Sequence, residues 1–180
     1  MIAVMIVILC AVFALSEPES MGYVFDSGIT DRLAFHFAHA NAIHLAINCY
    51  CFYRLSTACE KLAGIPQKKI ASRLLLLAFA FATTVATSYA TTPSKPVVGL
   101  SGVLFAYAGY GIAVMCKNTA HINRAFITLA VMLAWQDVFL LFTSIFAQLH
   151  VQCMLVSFAL TNIYYYGRGF YKDREPKKDK

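Results

Sequence analysis

The chain has 180 residues, 59% of them hydrophobic and 13% charged, with a formal net charge of +6. Soluble domains carry about 45–50% apolar and about 25% charged residues, so this composition, with a mean hydropathy of +0.63, excludes an ordinary soluble globule. Nucleic-acid binding is excluded by where the charge lies: of the 15 Lys and Arg, six fall in the last 13 residues and five in or beside one short turn.

Lipid admits only helices or closed barrels. The apolar runs are long and do not alternate with period two, which selects helices. The expectation is an all-α membrane protein with about six spans. A single transmembrane domain covers 1–171 and a charged cytoplasmic tail covers 172–180. Met1 to Leu15 is uninterrupted apolar sequence without a basic leader or a small-x-small cleavage site, so it reads as a first helix and not as a signal peptide. Ser16 to Ala38 holds Glu17, Glu19, Asp26 and Asp31 against Arg32, which suits an outer connection with a short interfacial helix. The second helix is expected over Asn41 to Cys59. A basic turn broken by Gly64 and Pro66 follows. The third helix runs from Leu74 to Ala90, the fourth from Ser101 to Cys116 and the fifth from Ala125 to Phe142. The last begins near His150 and ends at Asn162 to Tyr166, whose tyrosines form an interfacial belt.

The turns after helices two and four and the tail hold 13 of the 15 basic residues. Basic loops stay cytoplasmic, so both termini are expected there. Helices two, four and six then all begin at the outer face, each presenting free N–H groups and the positive end of its dipole. The six cysteines have no CxxC spacing and read as small buried residues, so neither a disulfide framework nor a metal site is indicated. No cofactor is expected.

Each of the three N-termini carries polar residues. In helix two, Asn41, His44 and Asn48 are spaced i, i+3, i+7 and share one face. Asn41 suits an N-cap. His44 and Asn48 on an otherwise apolar membrane helix point to function, with interhelical hydrogen bonding as the plainer role. Helix four opens Gly99-Leu-Ser101-Gly102, and Gly102, Ala106, Gly109 and Ala113 continue as a small-residue stripe. Such stripes let backbones approach closely. Ser101 is either a cap or a nucleophile with helix N–H groups nearby for an oxyanion. Helix six opens with His150, followed by Cys153 and Ser157 on the same face. If the two small faces pack together, Ser101 and His150 meet near the outer surface.

A Ser–His pair there fits nucleophilic catalysis. His150 takes the proton from Ser101 as it attacks a peptide carbonyl and returns it to the leaving amine. Candidate oxyanion donors are the Ser101 backbone N–H, the His44 ring and the Asn48 amide. No third residue to orient His150 stands out. Asp137 lies 13 residues earlier and reads as a buried structural pair or a protonated acid. Thr83, Thr84 and Ser88, with the helix-two stripe, are expected to line a water cavity reaching Ser101. Substrate access is expected to require movement of helix five and the loop Thr143 to Leu149. His121 sits alone in a basic turn and is expected to be solvated.

Taken in order, His39-x4-His44-x3-Asn48, Gly99-x-Ser101-Gly102 and His150 leading a small-residue helix resemble the rhomboid family of intramembrane serine proteases. The resemblance covers about His36 to Ser157. It implies a six-helix rhomboid-like bundle, a Ser101–His150 dyad, oxyanion help from His44 and Asn48, and cleavage of transmembrane protein substrates near their outer ends. It also implies that Gly99 shapes the approach to the serine, that His39 structures the first loop, and that Phe105 lies against the catalytic histidine. The family's Trp-Arg pair is reduced to Asp31-Arg32. Cys153 and Ser157 replace two glycines, which implies a slightly wider spacing of helices four and six and weaker activity.

The alternative is a catalytically silent rhomboid-like protein that binds or chaperones membrane clients. Retention of both Ser101 and His150 favours the protease. A small transporter would show internal symmetry and paired broken helices, and no repeat is found. The minimal core suits a multi-pass protein of a bacterial inner membrane.

Overall fold

The computed structural model describes residues 1–16, 22, 27–66, 68–91, 97–117 and 146–172. The predicted fifth helix, Asp137, His121, residues 143–145 of the loop before Leu149, residues 92–96 and the tail from 173 lie outside the described residues. Six helices are described: α1 Ile2–Leu15, α2 Ile29–Ala34, α3 Ala42–Leu62, α4 Ile70–Ser88, α5 Ser101–Lys117 and α6 Phe146–Lys172. α4 is long and apolar enough to cross a membrane; α1 and α5 are shorter apolar helices.

Within the described residues the other expected helices appear, most of them with at least one longer end. α3 runs through Glu60 and Lys61, and α4 starts at Ile70 instead of Leu74. The reason is local. Arg73 Nε and Glu60 pair at 2.8 Å, so charged residues are kept in the terminal turns of two adjoining helices. Gly64 then ends α3 at φ 63°. Ile65 N–H reaches back to Glu60 O at 2.8 Å and Gly64 N–H to Lys61 O at 3.1 Å, a left-handed C-terminal cap that glycine adopts without a steric cost.

The last helix corrects the expectation that it begins near His150. It starts at Phe146, so His150 sits in the second turn. Nothing between Ser144 and Leu149 is Gly or Pro, so no residue breaks the helix there, and a polar histidine in an apolar run only imitates a boundary.

α5 is the axis of the bundle. It packs most extensively on α6, then on α3 and α4; α4 also packs on α6, α1 on α3 and α2 on α4. All four stripe residues, Gly102, Ala106, Gly109 and Ala113, are buried. A Cβ at Gly109 would overlap the Met154 carbonyl of α6, so the two backbones touch there. Cys153 and Ser157 do not hold the helices apart. They are fully buried and converted into ties: Ser157 Oγ donates to Ala106 O at 2.6 Å, and Cys153 Sγ meets Thr87 Oγ1 at 2.9 Å. On the α3 side, Cys59 Sγ donates to Tyr107 O at 3.2 Å, and Phe52 packs edge-on against Tyr107. Lipid tails are as apolar as leucine, so close packing and such hydrogen bonds, each worth about 0.6 to 2 kcal/mol, hold helices together in a bilayer.

Candidate active site

The site is built around the turn that enters α5. Gly99 has φ 118°, a conformation open to glycine and strained for other residues. Its N–H donates to Phe35 O at 2.8 Å, which ties the turn to the connection before α3. A Cβ on Gly99 would stand 2.7 Å from His44 Cε1 and 3.5 Å from Asn48 Nδ2. Glycine is therefore required twice, for its φ and for the rings and amides packed against it. Two residues later Ser101 opens α5.

His150 Nε2 lies 2.7 Å from Ser101 Oγ. With the ring proton on Nδ1, the hydroxyl donates and Nε2 accepts, the arrangement a nucleophile and its base require. The ring is fixed by Phe105, stacked on it at 4.5 Å with 7° between the planes. That contact needs Ser101 and Phe105 one turn apart on α5, which the sequence provides.

α3 supplies the second wall. Asn41 caps it, accepting from His44 N–H at 2.8 Å, and the cap fixes where the first turn points. His44 and Asn48 then fall on one face against Gly99. Asn48 is buried, and its Nδ2 has no hydrogen-bond partner among the described residues. An unpartnered buried donor costs about 1–3 kcal/mol, so this amide is poised for an acceptor. His39 packs edge-on against His44 at 5.2 Å and donates from Nδ1 to Phe37 O at 3.2 Å. All the residues singled out from the sequence, namely Ser101, His150, His44, Asn48, Gly99, His39, Phe105 and Gly102, are thus assembled at one end of α3, α5 and α6. Gly102 faces Thr84 and Cys153, where it lets α5 approach both neighbours. Among the described residues no three His, Cys, Asp or Glu side chains are grouped to hold a metal ion.

One expectation is corrected. Thr83, Thr84 and Ser88 do not line a water cavity. All three are buried. Their hydroxyls donate to carbonyls of their own helix: Thr83 to Phe79 at 2.8 Å, Thr84 to Ala80 at 2.9 Å and Ser88 to Val85 at 2.6 Å. In a helix such back-bonding satisfies the hydroxyl locally and frees the side chain to pack.

Two residues gained roles that composition did not reveal. Arg32 is buried; its Nε donates to Ser27 O at 3.0 Å and its Nη1 to the Ser88 carbonyl and hydroxyl, while the guanidinium lies 4.2 Å over the Tyr89 ring. The short α2 is thereby pinned to the end of α4. Four residues along the chain, His36 lies fully buried between Phe35 and Phe81 and donates from Nδ1 to Leu33 O at 3.0 Å. A buried charge beside acidic neighbours reads in sequence like any solvated loop residue.

Burial lowers the pKa of His36 to about 4, against the raising effect of its bond to Leu33. Burial, with His44 nearby, lowers His39 to about 4 as well. Both rings stay neutral in the folded connection while the unfolded segment takes up protons below its ordinary value of 6.5. The unfolded state binds more protons in this window, so stability rises with pH there. The contribution is complete above about pH 6.5 and is lost as pH falls toward 4. Melting of the detergent-solubilised protein should therefore shift to lower temperature as pH falls from 6.5 to 4.5. His36→Phe should flatten that slope; a slope left unchanged by the variant would remove His36 from the account.

A family model described as Rhomboid domain matches residues 30–167 of the chain, a span that contains every residue of this arrangement. No curated protein matches the chain.

Proposed function

Because the chain belongs to the rhomboid family, membrane-embedded proteins that are generally intramembrane serine proteases, we propose that it is a serine endopeptidase that cleaves transmembrane protein substrates near the outer face of the bilayer. The observation that carries this reading is the 2.7 Å approach of His150 Nε2 to Ser101 Oγ on two helices locked by backbone contact.

Ser101 Oγ attacks the scissile carbonyl carbon while its proton passes to His150 Nε2. The carbonyl oxygen becomes an oxyanion. The Ser101 backbone N–H, at the positive end of α5, the Asn48 amide and the His44 ring are the donors that stabilise it. The C–N bond breaks as His150 returns the proton to the leaving amine, leaving an acyl ester on Ser101. Water then attacks the ester with His150 again as base, which releases the acid and restores the hydroxyl. Each oxyanion donor is worth about 10²–10³ in kcat. Asn48 is suited to that role because its buried Nδ2 has no partner to give up. No cofactor takes part.

The positive-inside reading puts both termini in the cytoplasm and the site at the outer face, and a bacterial inner membrane is the setting that suits the chain. The test is labelling of the purified protein by a fluorophosphonate. Labelling of wild type that disappears in Ser101→Ala and His150→Ala supports an activated serine. A folded wild-type protein that takes no label points instead to a silent member that binds membrane clients.

A further inference from the structure

Away from the Ser101–His150 pair, a cavity of about 490 Å³ lies between α4, α5, α6 and the turn after α3. Its inner wall is Leu76, Phe79 and Tyr110. Its lips are Leu75, Leu160 and Tyr164, which are 71%, 45% and 58% exposed. Apolar lips in a membrane-embedded bundle face lipid, so the cavity opens sideways into the bilayer. From Ser72 to Phe79 the α4 wall extends about 10 Å at 1.5 Å per residue. That is the scale of a half-inserted acyl chain with its glycerol end at Ser72.

The Ser72 end is chemically different. Ile65 and Ser72 both line the cavity, and between them in the chain stand Lys68 and Lys69, both exposed. Among the described residues the one carboxylate in the neighbouring helix ends, Glu60, is engaged by Arg73 at 2.8 Å, so it does not neutralise the lysines. α4 begins here with Lys69 as N-cap and no side-chain cap, so its first N–H groups and dipole also favour an anion.

We propose that this cavity is a binding site for an anionic glycerophospholipid, with its phosphate on Lys68, Lys69 and the start of α4 and its acyl chain along Leu75, Leu76 and Phe79. The apolar lips and inner wall suit an acyl chain better than a water-soluble ligand. A neutral lipid would fill the groove and leave the two lysines unused. Basic pockets between membrane helices on the cytoplasmic side attract anionic headgroups. The site bridges α4 and α6, the helix that carries His150. It lies about 15 Å along α6 from that histidine at 1.5 Å per residue. The inference rests on the membrane-embedded family and not on proteolysis.

The experiment is native mass spectrometry of delipidated protein in detergent, given equal amounts of phosphatidylglycerol and phosphatidylcholine with the same acyl chains. Wild type should retain phosphatidylglycerol several-fold over phosphatidylcholine. The double variant Lys68→Gln/Lys69→Gln should bring the two to parity, because both lysines are solvent-facing and their loss leaves the fold intact. Leu75→Trp, placed on a lip, should lower occupancy by both lipids. Equal retention by wild type, or a phosphatidylglycerol preference that survives the double variant, would overturn the proposal; so would occupancy unmoved by Leu75→Trp. Melting temperature of each variant in lipid-free detergent verifies folding independently.

Discussion

Ser101→Ala and His150→Ala are each expected to reduce cleavage of a membrane-tethered reporter to background, a loss of about 10³-fold or more, and the double variant is expected to be no worse than either one. Residues that act as one unit lose their joint contribution when either is removed. The pair meets this condition structurally: at 2.7 Å the hydroxyl has its base in contact, and the base is held flat by Phe105. Without the imidazole the hydroxyl remains protonated; without the hydroxyl the imidazole has nothing to activate. The measurement is initial rate for wild type, both single variants and the double variant, with folding checked by melting. Losses that multiply in the double variant would mean two independent roles and would sink the dyad. A rate unaffected by Ser101→Ala would sink the protease reading altogether.

The second large effect is structural. Gly109→Ala places a methyl on the Met154 carbonyl, and both contacting groups are backbone in the middle of long helices. Neither side can turn aside as a side chain would, so α5 and α6 must separate. Overpacking in a filled core typically costs about 1–3 kcal/mol and occasionally more, and this contact falls at the upper end. For a chain of this size about 3 kcal/mol corresponds to a fall in Tm of about 6–12 °C. Fluorophosphonate labelling should fall with it, because α6 carries His150. Gly102→Ala is a graded comparison. Its Cβ would meet the Thr84 methyl at 2.5 Å, and Cys153 Sγ lies farther off at 3.6 Å. A side-chain methyl is easier to displace than a carbonyl, so the cost is smaller. Gly28→Ala, with nothing within 4 Å, should leave both melting and labelling unchanged. A Gly109 variant as stable as the Gly28 variant would refute the backbone contact.

The candidate site was legible because its residues lie at helical spacing. His44 and Asn48 are one turn apart, so their shared face follows from the period alone, and an asparagine three residues before His44 marks the cap. Ser101 between two glycines at the head of an apolar run announced a helix start. What brought Phe105 and His39 into the reading was the family resemblance; nothing in their spacing required it. The misreadings have a common physical origin. Hydropathy treats any polar residue in an apolar run as an edge. At His150 it shortened a helix that continues to Phe146. At Glu60 and Arg73 it trimmed two helices whose charges pair at their ends. In Thr83 and Thr84 it suggested a wet surface where the hydroxyls bond back to their own carbonyls. In each case the partner that satisfies the polar group is one turn away or on another helix. Composition does not record that partner. Arg32 was hidden for the same reason, since its acceptors at Ser88 lie 56 residues along the chain.

The burial of α5 on all sides has a consequence for local opening. From Gly102 to Gly109 every residue is buried, and the helix is flanked by α3, α4 and α6. Opening its backbone bonds therefore requires its neighbours to withdraw, so the free energy of that event approaches that of global unfolding. α1 and the outward face of α3 can breathe without disturbing it. The hydroxyl proposed for chemistry thus sits at the head of the segment that, among the described helices, yields its amide protons to solvent last.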